Sequence, residues 1–347
     1  MMHKLIVLLT LFSSLLSATE KKIELVANFP VDTESLNQTL SAHHISAHVE
    51  VSDLSHYGEP LKKVKNRWIN LFRKFSIDLA PQVSVSQDLA KIVFWNITHR
   101  YTHRHELFRL PKDKLVLFMW EPPTVLPHMY CPEVTRCFSK IYTWNDALVD
   151  NQTYFKFYYP VLTPMIEEVP SFEEKKLCTL VSTNLTSSHP NELYSERENA
   201  ISYFETAQEG GFEFYGRQWD TATHPSYRGP TENKIETIKN YRFSICYENI
   251  HSIEGYVTEK IFDCFAAGNV PVYWGASNIE TYIPKNCFID RRAFDNLSDL
   301  HAFLKNMTKE EYENYLSNIR AFLSSEAAQL FSWKHFHEIF CEAIQNK

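Results

Sequence analysis

Residues 241–290 read YRFSICYENIHSIEGYVTEKIFDCFAAGNVPVYWGASNIETYIPKNCFID and constrain the fold more than any other stretch. Arg242 to Tyr247 is a short β-branched and aromatic run, which predicts a buried strand. Glu248 to Tyr256 follows as a polar loop carrying Gly255. From Thr258 the period changes: Val257, Ile261, Phe262 and Phe265 fall near one helical face, and Gly268 supplies a C-terminal stop. A second apolar run, Val270 to Trp274, ends at Gly275. Strand, loop, helix and strand make a βαβ unit, which requires a parallel sheet with helices on its faces. The chain is therefore expected to be an α/β protein.

The first turn of that helix is the part with chemistry. Backbone N–H groups are unpaired there and the macrodipole is positive, so the turn is a ready anion site. Lys260 adds a full charge suited to phosphate, and Glu259 adds a carboxylate of the kind that binds vicinal ribose hydroxyls in dinucleotide folds. The same residues also fit an ordinary helix start, in which Thr258 caps and Glu259 favours the dipole.

The wider string separates these readings. Tyr247-Glu248-Asn249, then Tyr256 to Ile261 (YVTEKI), then Gly268-x-Val270-Pro271-Val272 and Trp274-Gly275 resemble the donor-binding signature of the α1,3/α1,4-fucosyltransferases, glycosyltransferase family 10. The resemblance implies an α/β fold of GT-B type, two Rossmann-like domains facing a cleft, with a final helix crossing back onto the first domain. It implies donor contacts from Asn249, Tyr256, Glu259 and Lys260.

Length and composition agree with two globular domains. The chain has 347 residues, 44 % apolar and 22 % charged, and a net charge of −7 gives no overall field for a nucleic-acid partner. Lys4, the apolar run Leu5 to Leu16, and Ser17-Ala18 predict a signal peptide over residues 1–18, with an uncleaved short membrane anchor as the alternative. Export or membrane association follows: a secretory-pathway lumen in a eukaryote, a periplasm or membrane in a bacterium. Of the cysteines, Cys131 and Cys137 are close enough to pair, whereas Cys246 and Cys264 sit in apolar runs as buried thiols. Sequons at Asn37, Asn96, Asn151, Asn184, Asn296 and Asn306 mildly suggest glycosylation.

An acceptor-binding domain is expected over 19–160, with strands at Ile23 to Phe29, Lys91 to Trp95, Lys114 to Trp120 and Lys140 to Thr143, and a helix through Val64, Trp68 and Phe75. His99, His103 and His105 have a spacing that invites metal, but Arg100, Arg104 and Arg109 crowd them, so the segment reads as a basic loop. The proline-rich and acidic stretch Tyr159 to Glu174 marks the boundary. A nucleotide-sugar domain is expected over 175–330, with a strand at Leu177 to Thr183, a helix near Glu192 to Ala207, a strand at Phe212 to Tyr215 and a helix at Thr231 to Asn240. Thr308 and Glu311 predict a capping box ahead of the stripe Tyr312, Leu316, Ile319 and Phe322. Residues 331–347 form the last helix.

The run ending at Trp120 leads into Glu121-Pro122-Pro123, and residues just past the carboxyl end of a parallel strand face the ligand crevice. A carboxylate there can take a proton from an acceptor hydroxyl. The family resemblance implies that Glu121 is the general base. Arg217 is preferred over Arg228 as the arginine on the diphosphate, although spacing does not decide between them. The family implies inversion: GDP leaves from GDP-β-L-fucose, with Lys260, an arginine and the helix N-terminus stabilising the new charge. No metal is required by that scheme, and manganese or another divalent ion is expected at most to stimulate. Two other readings remain: a GT-B enzyme for another nucleotide sugar, and an inactive relative that binds glycan or nucleotide.

Overall fold

In the computed structural model, the structure describes residues 21–27, 32–43, 45, 47–53, 89–97, 107–207 and 211–345. The expected helix through Trp68 and the histidine segment from His99 to His105 lie outside the described residues. Two parallel sheets organise the chain. The first contains β1 (Lys21–Ala27), β2 (Ala47–Asp53), β3 (Leu89–Trp95), β4 (Leu115–Met119), β5 (Lys140–Thr143) and β6 (Tyr154–Lys156), in the order β2-β1-β3-β4-β5-β6. The second contains β7 (Lys176–Val181), β8 (Phe212–Tyr215), β9 (Tyr241–Tyr247), β10 (Val270–Trp274) and β11 (Ile289–Asp290), in the order β11-β10-β9-β7-β8.

The apolar run of β4 shows why these strands form. Leu115, Leu117 and Met119 enter the core on one face, and Val116, Phe118 and Trp120 enter the core on the other. A strand covered on both faces loses the polar alternation of a half-exposed one, so its sequence is continuously apolar. The predicted βαβ unit forms in the second sheet: β9 pairs β10 in parallel from Phe243↔Val270 to Tyr247↔Trp274, and helix Glu259–Ala266 connects them.

Helix α1 (Thr33–Ala42) follows β1, and α2 (Tyr194–Thr206) follows β7. Helix α2 begins later than the sequence suggests, because Glu192 bridges Ile250 and its carboxylate accepts from Tyr194 N and Ser195 N at 2.5 and 3.0 Å. The predicted helix over Thr231 to Asn240 shrinks to α3 (Lys234–Ile238), because the Asn233 side chain caps it by accepting from Glu236 N. Helix α4 is Glu259–Ala266, α5 is Leu297–Asn306 and α6 is Lys309–Leu323; the Thr308–Glu311 capping box is present at the start of α6.

The last helix, α7 (Trp333–Ile344), packs on the first sheet. Phe336 lies 5.6 Å from Phe118 and 5.2 Å from Trp120, ring to ring. The domain junction is also polar. Asp146 takes an ion pair from Lys156 at 2.5 Å and hydrogen bonds from Asn278 Nδ2 at 2.8 Å and from Tyr282. Gly255 lies beside it at φ +83°, where an added Cβ would come 2.2 Å from the Trp144 carbonyl oxygen. Only glycine allows the two backbones to approach this closely.

Cys131 and Cys137 are free thiols, and the Cys137 thiol turns to the Glu133 carbonyl at 3.3 Å. Cys246 and Cys264 are buried. The Asn96 sequon is a correction to the glycosylation reading. Asn96 is 5 % exposed, and its side-chain oxygen accepts from both Trp120 N and Glu121 N at 2.9 Å, so it cannot present itself to a transferase in the folded state. Among the described residues, no helix is long and apolar enough to cross a membrane.

Candidate active site

The second sheet contains its own instruction for where a ligand sits. From β7 the chain winds outward to β8, and then returns to place β9 on the other side of β7. Open parallel sheets bind ligands outside the carboxyl ends of the strands at such a switch point. A cleft of about 320 Å3 lies there. It is lined from after β7 by Ser182 and Thr183, from after β8 by Gly216 and Arg217, and from after β9 by Asn249. The first turn of α4 adds Glu259 and Lys260. Gly216, at φ +143°, lets the loop after β8 come so close to the loop after β7 that a Cβ would lie 1.7 Å from Ser182 O.

Glu248, at the end of β9, organises the turn beneath the cleft. It is 0 % exposed, and its carboxylate accepts from Thr258 N at 3.0 Å and from Thr258 Oγ1 at 2.8 Å. Lys260 Nζ sits 3.1 Å from its other oxygen. Burial would lower the Lys260 pKa, but Glu248 and then Glu259 more than offset that and raise it. The ammonium is therefore a fixed cation. Desolvation would raise the Glu259 pKa, but Lys260 and Lys234 outweigh it and hold the carboxyl at about 2. Glu259 is half exposed, 3.4 Å from Lys260 Nζ, and is a permanent acceptor for hydroxyl groups.

A residue that sequence reasoning missed completes the cationic wall. Arg197 on α2 is buried and stacks over the Tyr194 ring at 5.1 Å. Its guanidinium donates to Tyr247 O at 2.7 Å, Asn249 Oδ1 at 3.0 Å and Ser182 Oγ at 3.2 Å, while lining the cleft. A signal did exist. Tyr194, Arg197, Ile201 and Phe204 are all buried at helical spacing, so Arg197 is a charge placed on an apolar stripe. The two arginines that the sequence left in competition separate. Arg217 lines the cleft, whereas Arg228 is committed to Glu213 at 2.8 Å and to Pro225 O at 2.8 Å.

Tyr256 is the residue the structure does not bring into the cleft. It is 2 % exposed, its ring is 4.4 Å from that of Trp144, and its carbonyl accepts from Tyr273. An aromatic ring at the domain junction gains by burial against Trp144, so the Tyr256 ring does not line the cleft.

Glu121 belongs to the first sheet. Asn96, held at φ +68°, clamps the Trp120 and Glu121 backbone N–H groups, and Tyr130 donates to Glu121 O at 2.7 Å. Tyr159 donates to Trp120 O. The residue therefore leaves β4 on a fixed backbone. Burial raises the pKa of its carboxyl above the usual glutamate value; Lys260 pulls it down and Glu259 pushes it up, so the three groups feel one another across the cleft. Ser187 Oγ, from the second domain, donates to Thr124 O at 3.0 Å beside it. Among the described residues, no group of His, Cys, Asp or Glu is arranged to hold a metal ion.

Two parallel-sheet domains, with a cationic cleft at the switch point of the second, make the fold one of GT-B type. The chain belongs to glycosyltransferase family 10, the fucosyltransferases: the model of the family's C-terminal part matches residues 171–346. Relatives include 4-galactosyl-N-acetylglucosaminide 3-alpha-L-fucosyltransferase 9 of Rattus norvegicus, 30% identical over 225 residues, 64% of this chain and 56% of the relative. The Homo sapiens enzyme of the same name gives the same figures. This chain thus spans little more than half the length of those relatives. An alpha1,3-fucosyltransferase solved with GDP shares the fold at a TM-score of 0.55 and 15% identity, covering 95% of this chain and 92% of that one. The DNA-modifying beta-glucosyltransferase shares it at a TM-score of 0.53 and 14% identity, over 93% and 99% of the two chains.

Proposed function

We propose that the chain transfers fucose from GDP-β-L-fucose to a hydroxyl of a glycan acceptor, with inversion. Oxygen 3 of an N-acetylglucosamine bearing galactose is the target we favour. The observation that carries this is the convergence of Arg197, Arg217 and Lys260 on one cleft at the N-terminus of α4, with the Glu121 carboxylate within electrostatic reach. The donor's diphosphate lies against these cations, Glu259 and Asn249 accept and donate to sugar hydroxyls, and Glu121 faces the acceptor. Glu121 takes the proton of the attacking hydroxyl, the new C1–O bond forms on the opposite face, and the C1–O bond to phosphate breaks with its electron pair moving onto GDP. That charge is met by the cations and the helix N-terminus. The reaction as proposed needs no resident metal, since side-chain cations cover the diphosphate; added manganese would at most stimulate. The relatives named for a 4-galactosyl-N-acetylglucosaminide support the acceptor. The N-terminal run Leu5 to Leu16 supports a lumenal or exported site of action, by cleaved leader or membrane anchor.

Calorimetric titration with GDP tests the donor half. Lys260→Ala is expected to weaken GDP by about 1.5–3 kcal/mol, the value of a charge-assisted phosphate contact. Glu259→Ala should weaken free GDP much less. An unchanged dissociation constant in Lys260→Ala would take Lys260 out of the donor site. Wild-type protein that binds UDP as tightly as GDP would favour a transferase for another nucleotide sugar.

A further inference from the structure

The direction of α7 places its first residue at the edge of the first sheet that faces the cleft. Lys140, the first residue of β5, donates to Glu342 O at 3.3 Å and Gln345 O at 3.1 Å, so the end of α7 lies at the amino end of the strands. At the other end of the helix, Phe336 packs 5.7 Å from Trp95 and 5.2 Å from Trp120. Trp95 closes β3, and Trp120 immediately precedes Glu121. The helix therefore runs antiparallel to the sheet, and its first turn stands over the carboxyl edge from which Glu121 projects.

Trp333 opens that turn and is 51 % exposed. Its ring is held edge-on by Phe336 at 5.8 Å and 87°, and leans on His337 at 5.8 Å. His337 is itself anchored to Thr39 Oγ1 of α1 at 3.1 Å. The indole is thus supported on one side and open to water on the other. A single exposed apolar residue is ordinary. A braced tryptophan on the edge that carries the candidate base is a more specific arrangement. Tryptophan presents a large flat surface with only two torsions to fix, which is why it dominates binding hot spots. The C–H face of a pyranose is the complementary apolar plane. We propose that Trp333 is a stacking platform for a pyranose ring of the acceptor glycan, outside the ring that carries the reacting hydroxyl. This rests on the acceptor reading given above.

The test is acceptor kinetics with the full chain and oligosaccharides of increasing length. Trp333→Ala is expected to raise the acceptor KM about tenfold for acceptors longer than one sugar, the loss of one aromatic anchor. Its GDP dissociation constant should stay within about twofold of wild type, because the residue touches acceptor only. Trp333→Phe keeps a flat ring and should recover most of the loss, and if Trp333→Ala fails to fold the indole titration described below takes its place. An acceptor KM within twofold of wild type for both variants at every length would overturn the proposal. If the wild type transfers fucose from GDP-fucose to none of the acceptors, the functional reading fails separately. The platform is then read from the Trp333 indole N–H resonance during titration with glycans alone: a saturable shift supports it, and no shift at millimolar glycan overturns it.

Discussion

Glu121→Gln is expected to keep the fold and the affinity for GDP while kcat falls by about 10²–10⁴, the usual contribution of a general base. The backbone at this point is held by Asn96 and Tyr130 through main-chain atoms, so the amide occupies the same place as the carboxylate. What it cannot do is accept a proton at neutral pH. The pH profile supplies an independent reading. Burial raises the Glu121 pKa, and the base must be ionised to act. The acid limb of kcat/KM should therefore lie above an ordinary glutamate pKa, with activity lost as pH falls through it. Stopped assays across acidic to neutral pH, with GDP titrations alongside, measure both. Transfer by Glu121→Gln at the wild-type rate would place the base elsewhere.

Glu248→Ala is the substitution with the largest expected cost in stability. The carboxylate is fully buried and satisfies Thr258 N, Thr258 Oγ1 and Lys260 Nζ together. Removing one partner of a buried pair leaves an uncompensated charge and unpaired donors, at about 3–5 kcal/mol. The Lys260 side chain is 20% exposed and can turn toward water, so the lower end, about 3 kcal/mol, is the expected loss. Urea unfolding at neutral pH measures it. Glu248→Gln keeps an acceptor for Thr258 and should lose less than Glu248→Ala; equal losses would mean that the Thr258 hydrogen bonds contribute little. Full burial also leaves Glu248 unable to meet an acceptor hydroxyl as the base.

These two glutamates show where sequence was informative. The position of Glu121 was legible because a strand followed by Pro122-Pro123 has a defined end, and the carboxyl end of a parallel strand has a defined meaning. The βαβ unit over β9, α4 and β10 was equally legible, since its period changes from strand to helix and back within a short run. Arg197 was hidden because its surroundings, SEREN, read as a solvated helix surface. Its partners Tyr247, Asn249 and Ser182 come from two other strand ends, which local pattern does not connect. The burial of Tyr256 was illegible for the opposite reason. It lies inside the most informative string, yet Trp144, distant in sequence, supplies the contact that buries it. Tertiary pairing decides such positions.

The most direct measurement of the central claim is turnover of GDP-fucose with a panel of glycan acceptors, the product linkage being read by NMR. The account predicts that the wild type consumes GDP-fucose only with an acceptor bearing N-acetylglucosamine, forms an α-linked fucose, and that Glu121→Gln does neither at a comparable rate. Consumption of a different nucleotide sugar, with GDP-fucose left untouched across the panel, would contradict it.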